Sequence, residues 1–159
     1  MRTFTQQEME KHIPAYLHYI KNQYDDEKII CMLDPQFVCC DVEARSLTLR
    51  FEVKPWMLNV GGTMHGGLIA TAFDTAFGTL THFFSQPHFI TTTNLAVTYL
   101  EPVFESEVFD ITVTANRVGR TLAGLSAELR IADHRRRLCD TATATFMILN
   151  EEFHFPEES

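Results

Sequence analysis

Residues 59–84 read NVGGTMHGGLIATAFDTAFGTLTHFF, and the second half of this stretch decides the fold. From Gly66 to about residue 84 the chain is apolar nearly all round, and a helix of that kind is buried. Pro55 and the pair Gly61-Gly62 mark residues 55–64 as the loop that leads into it. After Pro87 the period changes to two. Leu95, Val97 and Tyr99 alternate with small or polar residues, as do Phe109, Ile111, Val113 and Ala115, then Leu125, Ala127, Leu129 and Ile131. A last strand covers 137–149. Val118-Gly119-Arg120 and Asp133-His134-Arg135 supply turns between strands.

On the other side of the helix, residues 36–42 and 46–53 read as a hairpin. Leu47, Leu49, Phe51 and Val53 alternate with Ser46, Thr48, Arg50 and Glu52, giving one buried and one wet face. Residues 3–24 read as a helix, with Thr5 and Glu8 as a capping box. Ile13, Leu17 and Ile20, with Tyr16 and Tyr24, form its apolar stripe, and Pro14 is expected to break or kink it. The order is helix, two strands, one long buried helix, four strands. That is α+β with an antiparallel sheet curled around the helix, not a βαβ repeat. Residues 1–34 are a helical extension, 35–150 the main domain, and 151–159 an acidic tail expected to fray.

The 159 residues suit one domain, and 45% hydrophobic with 21% charged residues supports a packed core. A formal net charge of −8 argues against nucleic acid as a partner. Cys31, Cys39, Cys40 and Cys139 include no C-x-x-C pair, and the seven histidines include no H-x-x-x-H, so neither a metal site nor a disulfide scaffold is expected. The N-terminus lacks a signal peptide's basic-then-apolar progression, and no run of about 18 apolar residues exists. A cytoplasmic protein that binds neither membrane nor nucleic acid is the expectation.

Asp74 is the one formal charge in residues 55–100. A lone carboxylate in an apolar helix is costly unless it is hydrogen-bonded, lines a cavity or is functional. A carboxylate drawn out of water is also a stronger base. Two readings stand: a catalytic base, or a structural Asp tied to the hydroxyls of Thr71 and Thr75. At the helix start, His65-Gly66-Gly67 offers backbone N–H groups with little steric cover, aided by the helix dipole, to an anion or developing oxyanion. Gly66 and Asp74 are eight residues apart, about 12 Å along one helix. One bond cannot be served by both groups of a single chain. If both act, the site combines two antiparallel helices across a two-fold axis, which makes the protein a homodimer with composite sites.

Asn59-Val60-Gly61-Gly62-Thr63-Met64-His65-Gly66-Gly67, then Asp74, then Thr98-Tyr99-Leu100-Glu101-Pro102, resembles the hotdog-fold acyl-CoA thioesterases. The branch it is most similar to is the phenylacetate-degradation (PaaI-like) type, which also holds the mammalian thioesterase-superfamily-member proteins. The resemblance runs from about residue 35 to 149. It implies a five- or six-stranded antiparallel sheet wrapped around the central helix, paired edge to edge into dimers that often form tetramers.

It also implies roles. Asp74 matches the acid that activates water or attacks the thioester, and Gly66 the residue whose N–H polarises its carbonyl. Asn59 matches an Asn that helps hold the water or acyl group, or is simply a loop residue. Thr92 falls where relatives place a Ser or Thr bonded to the acid, with Thr91 and Thr93 as rival registers. His65, Gly67, Phe77 and Arg120 are the expected substrate contacts, with the alternatives that His65 is a turn or capping residue, that Phe77 is core and not pocket, and that Arg120, here read toward a phosphate of coenzyme A, is a solvent-exposed turn residue. Coenzyme A is part of the substrate, so no cofactor or metal is expected. Two alternatives stay open: a hotdog hydratase or dehydratase, whose Asp-His dyad the spacing here fits poorly, and a non-catalytic acyl-CoA-binding protein.

Overall fold

The computed structural model describes residues 2–23 and 27–155. The chain forms α1 (Gln6–Asn22), α2 (Ile29–Leu33), β1 (Gln36–Asp41), β2 (Ser46–Glu52), a 3₁₀ turn (Pro55–Met57), α3 (Gly66–Ser85), β3 (His88–Tyr99), β4 (Val108–Val118), β5 (Leu122–Ile131) and β6 (Leu138–Glu152). The strands make one six-stranded sheet, ordered β1-β2-β4-β5-β6-β3, with every neighbouring pair antiparallel. Helix α3 packs against β2 through β6, so the sheet curls round it as its all-round apolar sequence requires. Phe73, Phe77, Leu80 and Phe83 fill the space between them and meet Phe51, Phe109, Ile111 and Leu129 from the strands.

Three local readings differ. Pro14 does not break α1, which continues from Gln6 to Asn22. Met9, Ile13 and Leu17, at i, i+4 and i+8, are buried and clamp the helix on either side of it. The expected stripe residue Tyr24 lies outside the described residues. The short helix α2 was not expected; Asp34 closes it in the left-handed conformation. The tail begins later than residue 151: β6 runs to Glu152, Phe153 N–H donates to the Pro87 carbonyl at 2.6 Å, and Phe155 packs on His12 and Tyr19. The aromatic rings of Phe153 and Phe155 dock it, although the acids around them suggest a solvated end. Residues 156–159, the rest of the expected tail, lie outside the described residues.

Candidate active site

Strand β3 is one edge of the sheet, and α3 lies beside it. A bulge between Thr92 and Asn94 shifts the register of β3 on β6. Thr92 Oγ1 donates to Asp74 Oδ1 at 2.8 Å. Thr93 Oγ1 donates instead to the Thr145 carbonyl at 3.0 Å. Of the three adjacent threonines, Thr92 is therefore the one that holds the acid, and the bulge aims it there. Thr71 and Thr75 donate to the carbonyls of Gly67 and Thr71 within the helix. They do not tie down Asp74, which is half-buried.

At the other end of the helix, His65 is the N-cap, and its Nδ1 accepts the Gly67 N–H at 3.0 Å. The Leu68 and Ile69 N–H groups go to the His65 carbonyl. Among the described residues the Gly66 N–H has no partner. The expectation that Gly67 offers its N–H to a ligand is corrected: His65 occupies it, which leaves Gly66 as the one open donor of the pair. Tyr99 covers this turn. Its hydroxyl donates to the Gly66 carbonyl at 2.6 Å, and its ring is so close that a Cβ on Gly66 would lie 3.3 Å away.

A cleft of about 320 Å³ opens here, lined among others by Asn59, Gly66, Tyr99, Leu100 and Asp140. Asp74 is not part of its lining, as the helical spacing requires. Asn59 spends most of its side chain on its own loop. Its Oδ1 accepts from the Gly61 N–H (2.9 Å) and the Thr63 N–H (3.2 Å), and its Nδ2 donates to Thr63 Oγ1 (2.9 Å). One amide hydrogen of Asn59 is left for the cleft.

Two expected substrate contacts lie elsewhere. Phe77 is wholly buried and stacks with Phe73, so it belongs to the core and presents no surface to a ligand. This corrects its assignment as a substrate contact, which rested on nearness to Asp74 in sequence. Arg120 is exposed in the β4–β5 turn and lines a separate cleft of about 730 Å³ with Arg2, His88 and Arg117.

Sequence reading missed Asp140. It is 0% exposed, and neither carboxyl oxygen has a hydrogen-bond partner among the described residues. Burial pushes its pKa up to about 7. Its neighbours in sequence, Arg135-Arg136-Arg137, make it look like part of a solvated turn. The signal that could have found it is alternation: Asp140 is in phase with Ala142, Ala144, Phe146 and Ile148, all buried.

The folded chain holds the Asp140 proton more tightly than the unfolded chain, where an Asp titrates near 3.8. Stability therefore falls as pH rises through the window from about 4 to about 7, by at most ~4 kcal/mol. Asp140→Asn cannot ionise. Its stability advantage over wild type is expected to grow by about 2–3 kcal/mol between pH 5 and pH 8, measured by urea unfolding. Parallel stability curves for the two proteins would count against a buried acid.

The Thioesterase superfamily family model matches residues 61–146, more than half of the chain. The chain belongs to the Thioesterase superfamily. This thioesterase-superfamily chain is 33% identical over 90 residues to the "putative esterase" F42H10.6 of Caenorhabditis elegans, covering 57% of its own length. It spans about half (53%) of that curated relative. Among solved structures, the PaaI protein of the Escherichia coli phenylacetic acid degradation operon superposes with a TM-score of 0.73 at 16% identity, over 91% of this chain and 99% of that one. The smu.793 protein of Streptococcus mutans, solved with acetyl-CoA, gives 0.65 at 20% identity, over 74% of this chain and 90% of the other. A Streptococcus pneumoniae thioesterase protein, solved with coenzyme A, gives 0.61 at 21%, over 69% and 84%. These likenesses establish the hotdog fold. Among the described residues no helix is long and apolar enough to cross a membrane.

Proposed function

We propose that this protein hydrolyses the thioester of a medium-chain or aromatic acyl-CoA, releasing the free acid and coenzyme A. The observation that carries this reading is the Thr92–Asp74 hydrogen bond paired with an open Gly66 N–H at the start of the same helix. Family membership agrees with it, as do fold relatives solved with acetyl-CoA and coenzyme A.

The chemistry needs a polarised carbonyl and an activated nucleophile. The Gly66 N–H, backed by the dipole of α3, donates to the thioester oxygen and stabilises the negative charge that develops on it. Asp74, held by Thr92, removes a proton from water as the water adds to the carbonyl carbon, or adds itself and is then released by water. The tetrahedral adduct collapses, the C–S bond breaks, and the coenzyme A thiolate leaves and takes up a proton.

Within one chain the Gly66 cleft excludes Asp74, so the reading places each site between two protomers. The unpaired β3 edge and the exposed Val60, Tyr99, Leu100 and Phe104 offer the surface for such a partner. On this reading the coenzyme A phosphates meet Arg120 and Arg117, which line one cleft. The test is thiol release across a panel of acyl-CoA esters. Turnover of at least one medium-chain or aromatic ester is expected, and a panel with no turnover would end the reading.

A further inference from the structure

Asp140 has no task in the chemistry above, yet it lies at the same cleft. Strands β3 and β6 place Tyr99 opposite Asp140, and Tyr99 in turn covers Gly66. A fully buried carboxyl with both oxygens unpartnered among the described residues is expensive, and burial is the one cause that shifts it, with no cation among those residues offsetting its charge. On β6, Cys139 adjoins it; its thiol is pushed up to about 11 by burial. On β3, Tyr99 is raised by burial and by the Asp140 charge itself. On β5 the facing residue is Leu129. Arg137, ahead of β6, is engaged by Glu101 at 3.2 Å and Glu107 at 3.0 Å. His65 heads α3 and caps Gly67.

We propose that Asp140 is an electrostatic positioning residue of the Gly66 cleft, needed uncharged when the thioester oxygen becomes an oxyanion at the Gly66 N–H. This rests on the thioesterase reading. An ionised Asp140 would set an unscreened negative charge beside the developing one, in surroundings where such repulsion is strong. A neutral Asp140 imposes none, so the cleft is fully competent only while the proton is on. Burial places that proton's loss at about pH 7.

The experiment is the pH profile of kcat between pH 5.5 and 9 on octanoyl-CoA and benzoyl-CoA, for wild type, Asp140→Asn and Asp140→Leu. Wild type is expected to lose activity by about tenfold or more above pH 7. Both variants are uncharged and differ in packing. Each is expected to keep kcat flat through that region. A limb that survives in both variants, or a wild type without one, overturns the inference and leaves the thioesterase reading standing. No turnover by wild type at any pH overturns both. A merely structural Asp140 would lower kcat at every pH without moving the limb.

Discussion

Asp74→Asn is expected to lower kcat by about 10²–10⁴-fold on any acyl-CoA the wild type hydrolyses, while the fold is retained. The size follows from what is removed. An amide at this position neither takes a proton from water nor attacks a carbonyl, so both routes assigned to Asp74 fail together. The fold survives because the change is nearly isosteric and the Thr92 hydroxyl can still donate to the side-chain oxygen at the place where it now meets Oδ1 at 2.8 Å. Asp74 is half-buried, with no ion pair to break among the described residues. KM is expected to change little, because the proposed role of Asp74 is in the chemical step and not in holding the coenzyme A portion of the substrate. Thiol-release kinetics and circular dichroism together check the prediction. An Asn variant with wild-type kcat would leave Asp74 as a structural residue.

Gly66→Pro is expected to lower kcat by about 10²–10³-fold, the loss seen when one oxyanion donor is removed. Gly66 is the first residue of α3, and proline is well tolerated at that position, where the missing N–H costs no helical hydrogen bond. His65 before it, at φ −60° and ψ 130°, already has the extended backbone a following proline demands. The substitution therefore deletes one N–H and little else. Its one local demand is that the Tyr99 ring, 3.3 Å from the new Cβ, give by a few tenths of an ångström. Gly66→Ala makes the same demand but keeps the N–H, and it serves as the control. Most activity is expected to survive in the alanine variant. Equal losses in both variants would trace the effect to Tyr99 and not to the N–H.

What the sequence disclosed depended on how local the signal was. The all-round apolar run 66–84 announced a central helix, and period-two strands on either side announced the sheet around it. Asp74 was visible because residues 55–100 hold no other charge. Its partner was visible only as a choice of three threonines. A bulge at Thr92/Asn94 makes the choice, and it arises from pairing with β6, some fifty residues away. His65-Gly66-Gly67 suggested two open N–H groups, and the imidazole of His65 closes one of them. Asp140 was masked by three neighbouring arginines, and its burial comes from strand pairing. Pro14 was misleading because helix-breaking is a local penalty, whereas Met9, Ile13 and Leu17 hold α1 through tertiary packing.

On the proposed reading each site takes Gly66 from one protomer and Asp74 from its partner. Mixing the two near-inactive proteins, Gly66→Pro and Asp74→Asn, tests it directly, after dissociation and reassociation at equal concentration. A mixed dimer contains one site with both groups intact and one with neither. Random reassociation makes half of the dimers mixed, so activity is expected to recover to about a quarter of wild type. A mixture no more active than its two components would contradict the shared site and return both groups to a single chain.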